Sequence, residues 1–275
     1  MTSIPLAGVI GHPVGHSRSP QLHGHWLREY AITGHYVPLA VTPGDLGDAL
    51  HLLPRIGFRG VNVTVPHKEA VLGLAQEVTD RAARIGAANT LTFTESGIHA
   101  DNTDGVGFLR SLTEGAPDWT ASAGPALILG AGGAARAILT ALIDAGVPEI
   151  RLTNRTRPRA EALARSLGGP VQVIDWPDRV EAARGTALLV NTTVLGMSGQ
   201  AALDFPVGAL DPSMTVTDIV YTPLETPLLR GAAARGCTTV DGLGMLLHQA
   251  APGFERWFGR APKVTPALRS AVLAS

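Results

Sequence analysis

The chain contains one cysteine in 275 residues, Cys237. An internal disulfide is therefore excluded, and no thiolate cluster is at hand for zinc or an iron-sulfur centre. Aromatic residues make up only 5%, and Lys plus Arg (22) are balanced by Asp plus Glu (23). Without surplus basic charge and stacking rings there is no face for nucleic acid or another polyanion. Long apolar runs are also missing. The stretch from Leu127 to Ile143 is interrupted by Arg136 and several glycines, and Met1 to Ile10 lacks the basic region, apolar core and cleavage site of a secretory leader. These absences point to a cytoplasmic protein with neither a membrane nor a nucleic-acid partner. No internal repeat or low-complexity segment stands out.

Nine histidines raise the question of a metal, above all His12, His16, His23 and His25. Residues two apart on a helix do not face the same side, so His23 and His25 do not share a metal if that segment is helical. No metal site is expected.

The hydrophobic fraction of 45% can fill one large or two modest cores. Short apolar runs alternate with helix-like stretches, the sign of βαβ units and a largely parallel sheet, so the fold class is α/β. Ala7 to Ile10, Tyr36 to Val41 and Gly60 to Val65 read as strands and Pro20 to Tyr30 as a helix. Glu114 to Gly124 reads as a surface connection, after which strands recur at Ala126 to Leu129, Ile150 to Thr153, Val171 to Ile174, Leu188 to Asn191 and Thr215 to Ile219. That rhythm belongs to a dinucleotide-binding domain. After Val240 a helical tail runs through Met245, Leu247 and Ala251 to Phe258, and it is expected to pack back on the first domain.

Gly130-Ala131-Gly132-Gly133-Ala134-Ala135 matches the G-x-G-x-x-G/A fingerprint, directly after a strand and before the helix-like Arg136 to Ala145. Gly130 makes the tight turn, Gly132 lets the backbone approach a pyrophosphate, and small Ala135 lets helix pack on strand. Such a turn alone is also compatible with no ligand. At the end of the second strand, where an NAD site carries an acid for the ribose 2′-hydroxyl, this chain has Asn154-Arg155-Thr156 and then Arg157 and Arg159. Arginine attracts a 2′-phosphate, and its planar fork also stacks on adenine, so the expected cofactor is NADP(H). Arg157 reads either as a cofactor contact or as solvated surface charge, and Pro158 starts a helix that redirects Arg159.

Four segments of the first half, Gly15-His16-Ser17-Arg18-Ser19-Pro20, Asn62-Val63-Thr64-Val65-Pro66-His67-Lys68, Ile85-Gly86-Ala87-Ala88-Asn89-Thr90 and Asn102-Thr103-Asp104-Gly105, resemble the substrate-domain motifs of the shikimate dehydrogenase family. In the second half Gly130 to Ala135, Asn154-Arg155-Thr156, Asn191-Thr192-Thr193 to Gly196-Met197, Tyr221-Thr222-Pro223 and Gly242 to Gln249 follow in the same order. The resemblance implies two domains. An N-terminal α/β substrate domain with a mostly parallel sheet takes residues 1–105 plus 241–275, a Rossmann-type NADP-binding domain takes 106–240, and the active-site cleft lies between them.

It implies further that the reaction is the reversible NADPH-dependent reduction of 3-dehydroshikimate to shikimate, within aromatic amino-acid biosynthesis. Lys68 is then the general acid/base and Asp104 its partner. A ketone receiving hydride becomes an alkoxide, which a cationic acid stabilises and protonates. Taken alone, Lys68 is a solvated lysine and Asp104 a helix N-cap before Val106 to Leu112; the constellation gives them this other role. By the same resemblance Ser17 and Ser19 bind the substrate carboxylate, although Ser19 before Pro20 is also a helix-start signature. Thr64, Asn89, Tyr221 and Gln249 contact the substrate; as bland alternatives, Asn89 caps a turn and Gln249 lies on a solvated helix face. Gly130, Ala131, Gly132, Gly133, Ala134, Asn154, Arg155, Thr156, Arg159, Thr192 and Gly242 contact the cofactor.

Two other readings share the motifs. One is a quinate or dual quinate/shikimate dehydrogenase, against which Ser19, in place of a bulkier threonine, leans toward shikimate. The other is a non-catalytic NADP(H)-binding protein on the same fold, against which the presence of both Lys68 and Asp104 argues. The expected partner is a small-molecule substrate; a homodimer is as open as a monomer.

Overall fold

The computed structural model describes residues 4–274. They fall into two compact units, 4–103 with 247–274, and 104–246. In the first, the chain runs through β1 (Leu6–Gly11), α1 (Ser19–Glu29), β2 (His35–Ala40), α2 (Leu46–Arg55), β3 (Phe58–Val63), β4 (Glu77–Val78), α3 (Asp80–Ile85), β5 (Thr90–Thr94) and β6 (Gly97–Asp101). Its sheet has the order β2-β1-β3-β5-β6-β4, parallel at β1-β2, β1-β3 and β4-β6 and antiparallel at β3-β5 and β5-β6. The parallel strand Ala7 to Ile10 is buried along its unbroken apolar run, and Val61 and Val63 are buried on either side of half-buried Asn62. Leu46, Leu50 and Leu53 of α2, at helical spacing, close one face of that sheet.

The second unit contains α4 (Asp104–Gly115), β7 (Ala126–Leu129), α5 (Gly133–Asp144), β8 (Ile150–Thr153), α6 (Arg157–Leu167), β9 (Val171–Ile174), β10 (Leu188–Asn191), β11 (Thr215–Asp218), α7 (Pro227–Ala234) and β12 (Thr238–Val240). Its sheet is parallel throughout, in the order β12-β11-β10-β7-β8-β9. This is the doubly wound order, in which the connection reverses direction beside β7 and opens a crevice at the carboxyl ends of the strands. Phe108, Leu112, Ile138, Leu139 and Leu142 cover one face, and Phe205, Leu210, Met214, Leu228 and Leu229 the other.

The tail, α8 (Gly242–Phe258) and α9 (Pro266–Leu273), returns the chain from the second unit to the first. The Trp257 indole donates to the Leu91 carbonyl at 3.0 Å, and a Cβ on Gly60 would overlap both groups, so β3 needs glycine where this ring lies. Trp26 of α1 likewise donates to the Lys263 carbonyl at 2.9 Å.

Two helix starts differ from the sequence reading. Ser19 is the first helical residue, not the cap: Arg18 occupies that position and no side chain caps the turn. Asp104 is the first residue of α4 and not a cap in front of Val106.

Candidate functional site

In the first unit the expected site residues sit on segments that are tied down by backbone hydrogen bonds. Ser17 follows a turn closed by its own N-H to the Val14 carbonyl (3.0 Å), and its hydroxyl oxygen accepts from the Ser19 N-H at 3.3 Å. The two serines are thus mutually oriented at the start of α1, where the positive end of the helix dipole favours an anion.

The turn from Thr64 to Lys68 leaves the end of β3. Thr64 N-H donates to Ile10 (2.9 Å), His67 N-H to Thr64 (3.0 Å), and Ala88 N-H to the Lys68 carbonyl (2.8 Å). The buried His67 ring points inward, with Nε2 2.7 Å from the Val41 carbonyl; an acceptor there requires Nε2 to carry the proton. Lys68, half-buried, is therefore carried on a turn pinned to three other segments.

Asn89 is buried at the head of β5. Its Oδ1 accepts from the Thr103 N-H (2.9 Å) and the Thr90 hydroxyl (2.9 Å), and its Nδ2 donates to Thr103 Oγ1 (3.0 Å). Thr103 Oγ1 in turn donates to the Gln249 carbonyl at 2.8 Å. The network continues through Asn62, whose Nδ2 donates to the Asn89 carbonyl (3.1 Å) and whose Oδ1 accepts from the Tyr36 hydroxyl (2.7 Å). Asn89 is thus an organiser of the sheet end and not the cap of a turn. The sequence placed Tyr36 only at the start of a strand; its hydrogen bond to Asn62, 26 positions away, left no signal there.

Immediately before the Asn102-Thr103-Asp104 segment lies Asp101, fully buried. Arg81 Nε (2.6 Å), Arg256 Nη2 (2.6 Å), Thr79 Oγ1 (2.9 Å) and the Asn102 N-H (2.8 Å) all donate to it. Burial by itself would raise its carboxyl; the two guanidiniums and the threonine outweigh that and hold it well below the usual carboxylate range. The cluster fixes the end of β6, and with it the segment that leads into Asp104.

His23 lies at the centre of α1, fully buried and stacked on the Tyr36 ring with centroids 3.9 Å apart. Neither ring nitrogen has a hydrogen-bond partner among the described residues. Burial lowers its pKa to about 3, and nearby Asn62 offsets only part of that. The consequence for stability has a definite sign. Below pH 6.5 the unfolded chain takes up a proton that the folded chain refuses, so stability is lost as pH falls from 6.5 toward 3. His23→Phe, which keeps a ring against Tyr36, removes about 2 kcal/mol of that loss at pH 5. Urea unfolding of both proteins at pH 7 and pH 5 measures it, and parallel losses would contradict a neutral buried His23.

In the second unit Gly130 has φ of +109°, and a Cβ there would collide with Thr192 and Thr193, so the turn after β7 demands glycine. Thr192 Oγ1 donates to the Leu129 carbonyl at 2.7 Å and so supports this turn. At exposed Gly132 and Gly133, by contrast, a Cβ would meet nothing within 4 Å. Internal packing does not explain those glycines; free space before the uncapped start of α5 does, if a phosphate is to approach its N-H groups. Half-buried Ala131 and Ala134 flank them, and Ala135 is buried in the core as the fingerprint requires.

Asn154 Nδ2 donates to the Thr156 carbonyl at 2.9 Å, fixing the turn after β8. Arg155, Thr156 and Arg159 are exposed there. Arg157 is committed elsewhere, to Glu161 and Asp175 at 2.8 Å each. The donor set and the glycine cradle fit a dinucleotide bearing a 2′-phosphate. Farther along, Asp218 is buried and accepts from Asn191 (2.9 Å), the Val220 N-H (3.0 Å) and Thr226 (2.8 Å), which sets the course of the backbone into Tyr221. Burial raises its carboxyl against these three bonds. A Cβ on Gly242 would overlap the carbonyls of Ile219 and Val220, so this glycine lets α8 begin against the same loop.

Among the described residues no helix is long and apolar enough to cross a membrane, and no cluster of three or more His, Cys, Asp or Glu is placed to hold a metal.

Family models match along the chain: the shikimate dehydrogenase substrate binding domain at residues 9–91, shikimate/quinate 5-dehydrogenase at 118–194, and the shikimate 5′-dehydrogenase C-terminal domain at 242–273. A shikimate dehydrogenase (NADP(+)) of Roseobacter denitrificans is 60% identical over 274 residues, 99% of both chains. Among solved structures, a Thermus thermophilus shikimate 5-dehydrogenase in complex with NADP(H) and shikimate superposes with a TM-score of 0.88 at 38% identity, covering 99% of each chain. A Corynebacterium glutamicum quinate dehydrogenase in complex with NAD gives 0.91 at 32% identity, again covering 99% of each.

Proposed function

The chain belongs to the shikimate dehydrogenase family, and from that premise we propose how its own residues carry out the reaction. It is an NADP-dependent oxidoreductase acting on a CH-OH group, the interconversion of shikimate and 3-dehydroshikimate. The observation that carries the assignment of roles is the turn from Thr64 to Lys68, which presents a lysine from a frame tied to Ile10, Val41 and Ala88. Preorganisation of this kind is what a group acting on a developing charge requires.

Lys68 donates its proton to the ketone oxygen as the oxygen gains charge, and accepts it back in the reverse direction. Asp104, buried at the first position of α4, orients the ammonium and a ring hydroxyl. Ser17 and Ser19 hold the substrate carboxylate at the start of α1, and Thr64, Asn89, Tyr221 and Gln249 bind the remaining substrate oxygens. NADPH, when bound, supplies the hydride. Gly130, Ala131, Gly132, Gly133 and Ala134 cradle its pyrophosphate, and Asn154, Arg155, Thr156 and Arg159 receive the adenosine 2′-phosphate. Thr192 and Gly242 serve by shaping the backbone around them. Curated relatives 57 to 60% identical over almost the whole chain are shikimate dehydrogenases (NADP(+)), which favours shikimate. We place the protein in the cytoplasm, where its lone cysteine stays reduced.

Ser17→Ala is expected to raise KM for shikimate about tenfold with kcat little changed, since a hydroxyl on a carboxylate contributes about 1.5 kcal/mol in ground and transition state alike. A fall in kcat at constant KM would remove Ser17 from this role. The reading as a whole is tested by supplying 3-dehydroshikimate with NADPH. Consumption of one NADPH per shikimate formed supports it; no consumption overturns it.

A further inference from the structure

Three arginines follow β8 within five residues, yet the structure treats them differently. Arg155 and Arg159 are exposed, and their guanidinium groups are paired with no carboxylate among the described residues. Arg157 alone is bound on both sides, its Nε by Glu161 Oε1 and its Nη1 by Asp175 Oδ1, each at 2.8 Å. Asp175 comes from the neighbouring strand: Thr153 of β8 is in register with Ile174 of β9, so Asn154 and Asp175 leave the sheet side by side at its carboxyl edge. In such folds an acid at the end of the second strand, here the place of Asn154, selects an unphosphorylated ribose because it repels a 2′-phosphate, and Asp175 sets a carboxylate at the end of the strand beside that place.

We propose that Arg157 is a specificity-determining residue that acts as a shield. By pairing with Asp175 and Glu161 it neutralises two carboxylates beside the cofactor's ribose, leaving Arg155 and Arg159 to attract the 2′-phosphate unopposed. It is not itself a phosphate ligand, because its donors are already directed at the two acids. Exposed pairs of this kind add little to folding stability. A dianion placed a few ångströms from an unpaired carboxylate, however, is repelled in proportion to both charges. Arg157 therefore matters to cofactor choice and hardly at all to the fold.

The inference rests on the reading of the second unit as an NADP(H) site, and the experiment separates the two. Calorimetric titration of the full chain with adenosine 2′,5′-bisphosphate and with AMP measures the 2′-phosphate contribution without any turnover. Wild type binds the bisphosphate more tightly than AMP; if it does not, the NADP(H) reading falls and the shield with it. Arg157→Ala is expected to weaken bisphosphate about 3- to 10-fold while AMP changes less than about twofold and the melting temperature stays put. Adding Glu161→Gln and Asp175→Asn to that variant restores most of the lost affinity, and Asp175→Asn alone tightens bisphosphate binding above wild type. The loss in Arg157→Ala shrinks at high salt. A wild-type preference for bisphosphate that Arg157→Ala leaves intact would overturn the shield alone. So would a loss that removing both acids does not repair, which would make Arg157 a direct ligand.

Discussion

Lys68→Ala is expected to lower kcat for shikimate oxidation by about 10²- to 10⁴-fold, with KM for shikimate changed by no more than a few-fold. The size follows from what is lost. Proton transfer to or from the reacting oxygen disappears, together with a cation placed where charge develops, and both act chiefly in the transition state. The separation of kcat from KM follows from the proposed roles of Ser17, Ser19 and Asn89, which would bind the ring without help from Lys68. Steady-state kinetics over a range of shikimate concentrations measure both parameters. A variant that turns over at the wild-type rate would require another acid, and one altered in KM alone would make Lys68 a binding residue.

Arg155→Ala is expected to weaken NADPH binding about 100-fold while leaving NADH nearly unaffected. A guanidinium fork on a phosphate makes two charge-assisted bonds, together worth about 2 to 3 kcal/mol. Arg155 is exposed beside Asn154, whose own side chain is occupied with the Thr156 carbonyl. Arg159 remains as a second cation, which keeps the loss from being complete. Fluorescence titration with each nucleotide measures the two affinities. Equal weakening of NADPH and NADH would show that Arg155 stacks on adenine and does not read the phosphate.

The alternation of apolar runs and helical stretches, and the glycine-rich turn between a strand and a helix, are local patterns, so both were visible in the sequence. The fold class followed from them, whereas α4, which the structure groups with the second unit, lies ahead of the surface connection at which the pattern began that unit. The hairpin β5-β6 was not visible: its turn, Glu95-Ser96, lacks a strong signature, and β5 runs antiparallel to both of its neighbours, β3 and β6, in a sheet expected to be mostly parallel. Ser19-Pro20 and Asp104 looked like caps because residue preferences at a helix start are shifted by one position at little cost.

What supports the site was hidden for a different reason. Asp101 meets Arg256 across 155 positions of chain and Tyr36 meets Asn62 across 26. Such pairings are made by tertiary structure and leave no spacing to read. Arg157 is the instructive case. Its neighbours in sequence suggested either a phosphate ligand or a solvated charge, whereas Asp175, eighteen positions on, gives it a partner that neither reading contained.

The central claim is that this chain oxidises shikimate with NADP⁺ and holds both specificities in the residues named. Initial rates with shikimate or quinate, each paired with NADP⁺ or NAD⁺, test it in one set of assays. The account predicts rapid turnover of shikimate with NADP⁺ and little in the other three combinations. Faster turnover of quinate, or of shikimate with NAD⁺, would contradict the roles given to Ser19 and Arg155, and no turnover in any combination would contradict the catalytic role of Lys68 and Asp104.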